Sequence, residues 1–128
     1  MEKLEPRDLT WVGPSLDELR SFPAAVQKVM GVALLQAQYG GKPIQAKPLK
    51  GFKGAGVLEV VEDFAGDAYR TVYTVRYSDA VYVLHAFQKK SKKGIETPRP
   101  VTDLVKSRLK MAEELHELET GKRKGRRQ

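Results

Sequence analysis

The segment Val81–Gly94, VYVLHAFQKKSKKG, passes from an apolar, β-branched run into four lysines, Lys89, Lys90, Lys92 and Lys93, with His85 a few residues upstream. Cations mounted at the end of a rigid strand beside a titratable imidazole suit the binding of a phosphodiester and its cleavage. The same residues also read as an edge strand followed by a solvated lysine turn. A second basic segment, Lys42–Gly56, interleaves Lys47, Lys50 and Lys53 with Gly and Pro. That composition predicts a loop whose lysines and backbone N–H groups can contact phosphates, or equally a flexible linker with solvated lysines. It lacks the GxxxxGKS/T pattern of a nucleotide P-loop. In the run YRTVYTVRY (Tyr69–Tyr77), strict alternation puts Arg70 and Arg76 on one face with Val72 and Thr74, and the tyrosines on the other. Two arginines on one face of a central strand are hard to place in a core. They predict a concave, wet, positive sheet face, or else a pair of arginines on an uncovered sheet.

These groups need a scaffold, and the composition bounds it. The chain has 128 residues, 41% hydrophobic and 30% charged, which predicts one globular domain with a single core. There is no cysteine, so thiolate metal sites and disulfides are excluded, and His85 and His116 are too few for a histidine metal centre. No apolar run has membrane-spanning length, and MEKLEPRDLTW lacks the apolar region of a signal peptide, so a soluble cytoplasmic protein that avoids membranes is the expectation. The net charge is +7 and the pI about 9.7. Basic residues gather at Lys42–Lys53, Lys89–Lys93 and Lys122–Arg127, and acids at Glu2–Glu18, Glu59–Asp67 and Glu113–Glu119. Such segregation predicts a positive face of the kind that meets nucleic acid.

Periodicity orders the elements. Leu9–Val12 reads as a strand closed by Gly13-Pro14. Ser15 and Glu18 fit a capping box for a short helix over about Leu16–Phe22. Pro23 suits the first turn of a second helix, in which Val26, Val29, Met30, Ala33, Leu34 and Ala37 make an apolar stripe stopped by Gly40-Gly41. Three hairpin-linked strands follow at Val57–Glu62, Tyr69–Tyr77 and Val81–Gln88. His85 falls on the face of Val81, Val83 and Phe87, where a satisfied core histidine is the bland alternative. Thr97, as a cap, and Pro98 open a last helix with the stripe Leu104, Val105, Leu109, Ala112 and Leu115, ended by Gly121; His116 reads as a surface residue. Residues 1–120 thus form one domain, and 121–128 a basic tail expected to be disordered in isolation. The order predicts an α+β fold, a small antiparallel sheet with the N-terminal helices and the C-terminal helix packed on one face and the other face left for function.

The segments KPLKG (Lys47–Gly51), GVLEV (Gly56–Val60), YRTVYTV (Tyr69–Val75) and VYVLHAFQKKSKKGIETP (Val81–Pro98) resemble the HigB-like branch of the RelE/ParE toxin superfamily, and within it the phage-derived toxins written Tad or HigB-like. The resemblance covers roughly residues 8–118. It implies the toxin of a type II toxin–antitoxin pair, with a cognate antitoxin carrying a helix-turn-helix domain. The implied activity is metal-free, cofactor-free, ribosome-dependent cleavage of mRNA, in which a 2′-OH attacks the adjacent phosphate and leaves a 2′,3′-cyclic phosphate and a 5′-OH.

The resemblance also implies roles. Arg70 contacts the scissile phosphate, Lys90 does the same with Lys89 able to substitute, and Glu59 acts as general base or else pairs with Arg70 or Arg76. Read from the residue itself, His85 is the one well-placed imidazole and could donate or accept a proton near neutral pH, or else is a buried structural histidine. Lys47, Lys50, Lys53, Arg76, Lys92 and Lys93 would bind RNA. Two features depart from relatives: no tyrosine follows Tyr82, and the lysine pair some relatives carry on the first hairpin strand is replaced by Leu58, Glu59 and Val60. A ParE-like toxin acting on DNA gyrase, and a non-toxic basic nucleic-acid-binding module, are the competing functions.

Overall fold

The computed structural model describes residues 5–89 and 97–126, the last five by backbone alone. Among these, β1 (Asp8–Trp11), α1 (Ser15–Arg20), α2 (Ala24–Gln38), β2 (Ala46–Pro48), β3 (Val57–Phe64), β4 (Asp67–Tyr77), β5 (Ala80–Lys89) and α3 (Arg99–Arg126) follow in order. The strands form one sheet, β1-β5-β4-β3-β2, with β1 parallel to β5 and the remaining pairs antiparallel. The α+β fold read from the sequence is therefore present. No helix among the described residues is long and apolar enough to cross a membrane.

Helices cover both faces of the sheet, not one. Leu19, Phe22, Val26, Met30, Ala33, Leu34 and Ala37 of the N-terminal helical segment pack with Val60, Tyr69, Tyr73, Val81, Val83 and Ala86 on the first face. Val105 and Ala112 of α3 pack with Val57, Val72, Tyr82 and Leu84 on the second, joined by Val12, Leu49 and Phe52. The reason is visible in the strands: β4 and β5 carry apolar residues at both parities, so each face must be buried. Among the described residues the expected wet, positive sheet face is absent: both faces are covered.

Two register shifts redistribute side chains. At the first, Val72 pairs with His85 but Tyr73 pairs with Val83, so Leu84 and His85 oppose one residue of β4. Strict alternation put His85 with Val81 and Val83; the bulge moves it to the α3 side, where it stacks on Phe87 with ring centroids 5.1 Å apart. The second shift, between Thr74 and Tyr77, carries Tyr77 away from Tyr73 and Val75 to the α3 side, where it stacks on His116 at 3.9 Å. His116 is thus an interface residue, with Tyr82 Oη 3.2 Å from its Nδ1.

Smaller expectations also change. The capping box does not form: Ser15 lies inside α1, Pro14 is the cap residue, and Ser15 Oγ has no partner among the described residues. Pro23 caps α2 from outside its first turn. The basic loop contributes the three-residue β2, held by Ala46 opposite Val60, Lys47 opposite Glu59 and Pro48 opposite Leu58. Helix α3 runs through Gly121 to Arg126, because an exposed glycine costs a helix only about 1 kcal/mol and its neighbours are good helix formers.

Candidate functional site: a clasped carboxylate under a basic cleft

Glu59 and Arg70 lie diagonally across the β3–β4 pair on the α3 side, since Glu59 is opposite Val72 and Arg70 opposite Val61. Both are buried, at 2% and 3% exposure. Arg70 Nη1 donates to Glu59 Oε1 at 3.2 Å and Oε2 at 3.4 Å. Lys47, directly across the β2–β3 pair, brings Nζ to 3.6 Å from Oε1 while its side chain remains 46% exposed. Thr97 donates to Oε2 at 3.0 Å and accepts from Arg70 Nη1 at 3.1 Å, so its hydroxyl ties the approach to α3 onto the sheet and does not cap the helix. Glu59 therefore takes the ion-pair reading with Arg70. Above it opens a cleft of about 300 Å³ lined by Lys47, Leu49, Lys50, Glu59, Thr97 and Thr102. The cleft is basic at its rim and neutralised at its floor, a geometry for an anionic ligand that docks on lysines without displacing the buried pair.

A second charged cluster sits where β1 ends. Beyond Val83 the outer edge of β5 loses its strand partner, and Glu18 of α1 takes over: its Oε1 accepts from Ala86 N at 3.2 Å. Arg108 of α3 grips the same carboxylate with Nη1 to Oε1 at 2.7 Å and Nη2 to Oε2 at 3.0 Å, and Nη1 also donates to Leu84 O at 2.9 Å. His85 Nδ1 lies 2.8 Å from Glu18 Oε1 and 2.9 Å from Arg108 Nη1. Burial alone would raise the Glu18 pKa, but the bonds from Arg108 and His85, the charge of His85 and the Ala86 N–H together hold it below the usual value.

The structure brings Lys47, Lys50, Glu59 and Arg70 together. Lys53 lines a neighbouring groove with Leu49 and Phe52. Arg76 lies apart, exposed and paired with Glu113 of α3 at 2.7 Å. Lys89 ends β5 opposite Ala68. Lys90, Lys92 and Lys93 lie outside the described residues. Sequence reasoning assigned Glu18 and Thr97 to helix caps and passed over Arg108. The signal for Arg108 was its position: it interrupts the core stripe of α3 between Val105 and Ala112, where a cation needs a buried partner. No group of three or more His, Asp or Glu capable of holding a metal ion occurs among the described residues.

This fold is similar to that of the toxin RelE. The E. coli RelE structure, an arginine-to-alanine double mutant in the free state, superposes with a TM-score of 0.50 at 18% identity, covering 64% of this chain and 82% of RelE. The toxin–antitoxin complex RelBE2 from Mycobacterium tuberculosis matches at a TM-score of 0.47 and 18% identity, over 66% of this chain and 100% of that one. No curated protein sequence matches significantly. The profile of the phage derived protein Gp49-like family (DUF891) matches residues 17–110, and the chain belongs to that family.

Proposed function

We propose that the protein is the toxin of a type II toxin–antitoxin pair, a HigB-like, ribosome-dependent endoribonuclease that arrests growth by cutting mRNA in the cytoplasm and is silenced by a cognate helix-turn-helix antitoxin. The observation that carries this reading is the basic cleft over the Glu59–Arg70 pair, on a RelE-type fold. Lys47 and Lys50 meet the mRNA phosphates at the rim. Arg70 and Thr97 hold Glu59, and Glu59 in turn holds Lys47, so the buried pair positions a cation that itself stays accessible. Lys53 adds charge to the neighbouring groove, and Arg76 lies outside both. The 2′-OH attack needs no metal; the lysines offset the charge that develops on the phosphorane, and the ribosome orients the strand.

The test is induction of the chain in a bacterial host, with and without its neighbouring gene, and mapping of mRNA 5′ ends. New 5′-OH ends inside translated frames, reduced in a Lys47→Ala, Lys50→Ala double variant of unchanged stability, are expected. Growth arrest with intact mRNA would replace this reading by a gyrase-type toxin. Absence of arrest would leave a nucleic-acid-binding module.

A further inference from the structure

Helix α2 is apolar on two opposite sides. Val26, Met30, Ala33, Leu34 and Ala37 are buried against the sheet. Lys28, Val32, Leu35 and Tyr39, spaced i, i+4, i+7 and i+11, make a second straight stripe on the side turned away from it. Val32 is 59% exposed, Leu35 51% and Tyr39 47%, and Ile44, just beyond the helix, is 96% exposed. Together they present on the order of a few hundred Å² of apolar surface, the size at which a patch on a soluble protein marks an interface. Gly31 stands beside this stripe in mid-helix. A Cβ there would meet nothing within 4 Å, so no internal packing requires the glycine, which costs the helix about 1 kcal/mol. Its effect is external: it leaves a flat place where another chain can come close to the backbone.

The stripe is its own complement when two copies of α2 lie antiparallel. A two-fold axis passing between Ala33 and Leu34 sets Val32 against Leu35 of the second copy and Lys28 against Tyr39 of the second copy, each contact occurring twice. Lys28 then meets an aromatic ring, and Leu35 of the second copy comes down beside Gly31. A parallel pair would set Lys28 against Lys28. Lys28 is also the charged residue of the groove, about 380 Å³, that runs between the stripe and Ile44; no acidic residue among those described lines it. The match this face asks for is therefore apolar with an aromatic for its cation, and a second copy supplies both. Helix α2 covers the sheet face opposite α3, so the basic clefts of both copies stay open in such a pair.

We propose that the outer stripe of α2 is the interface of a symmetric homodimer in which the two helices pack antiparallel; this stands apart from the nuclease reading above. One helix pair with Ile44 at its margin lies at the small end of specific interfaces, so the expected dissociation constant is about 1–100 µM. Each chain carries a net charge of +7, so repulsion opposes the pairing at low salt and screening strengthens it. An acidic partner seated on the same face would respond to salt in the opposite sense.

The experiment is sedimentation equilibrium of the full chain from about 1 µM to about 1 mM, at low and at physiological ionic strength. A dimer that strengthens with salt is expected. Leu35→Glu and Val32→Lys are each expected to weaken association at least about tenfold, with urea unfolding as the fold control, since both positions are exposed. Val32 faces Leu35 of the second copy only in the antiparallel pair, so an equimolar mixture of the two variants is expected to recover the dimer through the opposite charges introduced. A wild type that stays monomeric over the whole range overturns the proposal and leaves the stripe to a different partner. A dimer of unchanged strength in Leu35→Glu overturns it as well, and a mixture no more associated than its components overturns the antiparallel packing.

Discussion

Replacing Arg70 by alanine should unfold much of this protein's stability margin before it says anything about catalysis. The Glu59 carboxylate and the Arg70 guanidinium are 3.2 Å apart with their side chains 3% and 4% exposed. At that distance their attraction is about 5 kcal/mol for an effective dielectric near 20. Removing the arginine leaves a buried carboxylate with Thr97 and the half-exposed Lys47 as its remaining partners, and breaking a buried pair from one side costs about 3–5 kcal/mol. Lys47 at 3.6 Å moderates the loss, so the lower end, about 3 kcal/mol, is the expected value. That is a large fraction of the roughly 5–15 kcal/mol available to a domain, and amounts to a fall in Tm of about 10–15 °C. Replacing both partners, Glu59→Leu with Arg70→Met, should cost little or nothing, because the desolvation of two ions disappears with their attraction. Urea unfolding of the two single variants and the double variant, closed as a cycle, measures the coupling. Arg70→Ala within about 1 kcal/mol of wild type at an unchanged m value, or a coupling below about 0.5 kcal/mol, would refute the reasoning. A loss of toxicity in Arg70→Ala must accordingly be read beside its stability, which is why the exposed Lys47 is the better probe of the cleft.

Three further perturbations test the same scaffold. Ala65 holds φ +52° beside Gly66 at +86° in the β3–β4 turn, a left-handed pair that disfavours alanine, so Ala65→Asn should raise stability by about 0.5–1 kcal/mol in chemical unfolding. Tyr73 is fully buried, its hydroxyl has no partner among the described residues, and burial pushes its pKa up to about 12. Because the folded value lies above the unfolded one, its contribution is intact below pH 10 and lost as pH rises through the folded value; Tyr73→Phe should be about 1 kcal/mol more stable at neutral pH and show a smaller alkaline loss. Glu18 is shifted the other way, below its ordinary 4.5, so the stability it contributes is present above that pH and lost as pH falls through the folded value. Acid unfolding of Glu18→Gln should therefore be flatter than wild type in that window.

The parts of the fold carried by local pattern were legible. The α2 stripe, the three long strands and their two tight turns follow from periodicities of 3.6 and 2 and from turn residues, and each lies within two residues of its expected place. What was not legible depends on pairing at a distance. Ala46–Lys47–Pro48 has no strand pattern of its own; the open edge of β3 makes it a strand. The bulges at Val72/Tyr73 and Thr74/Tyr77 leave no mark in an alternating sequence, yet they decide which face His85 and Tyr77 occupy. Arg70 violated the rule that charges stay outside because its partner, eleven residues upstream, becomes a neighbour only when β3 and β4 pair.

The same logic explains why lysine clusters were easy to find and the groups that position them were not. The clasped carboxylate draws on β2, β3, β4 and the approach to α3, and the histidine cluster on α1, β5 and α3. Glu18 and Arg108 are separated by 90 residues and His85 and Glu18 by 67, so no short motif contains either set. Each cluster also ends on α3, through Thr97 before its first turn and Arg108 three turns in. The helix thus closes the second core and, through the same two contacts, orients the groups on the sheet beneath it. Sheet, cleft and helix consequently share one structural fate: a change that loosens the first half of α3 releases Glu59 from Thr97 and Glu18 from Arg108 together, and Lys47 at the rim then pairs with a less firmly held carboxylate.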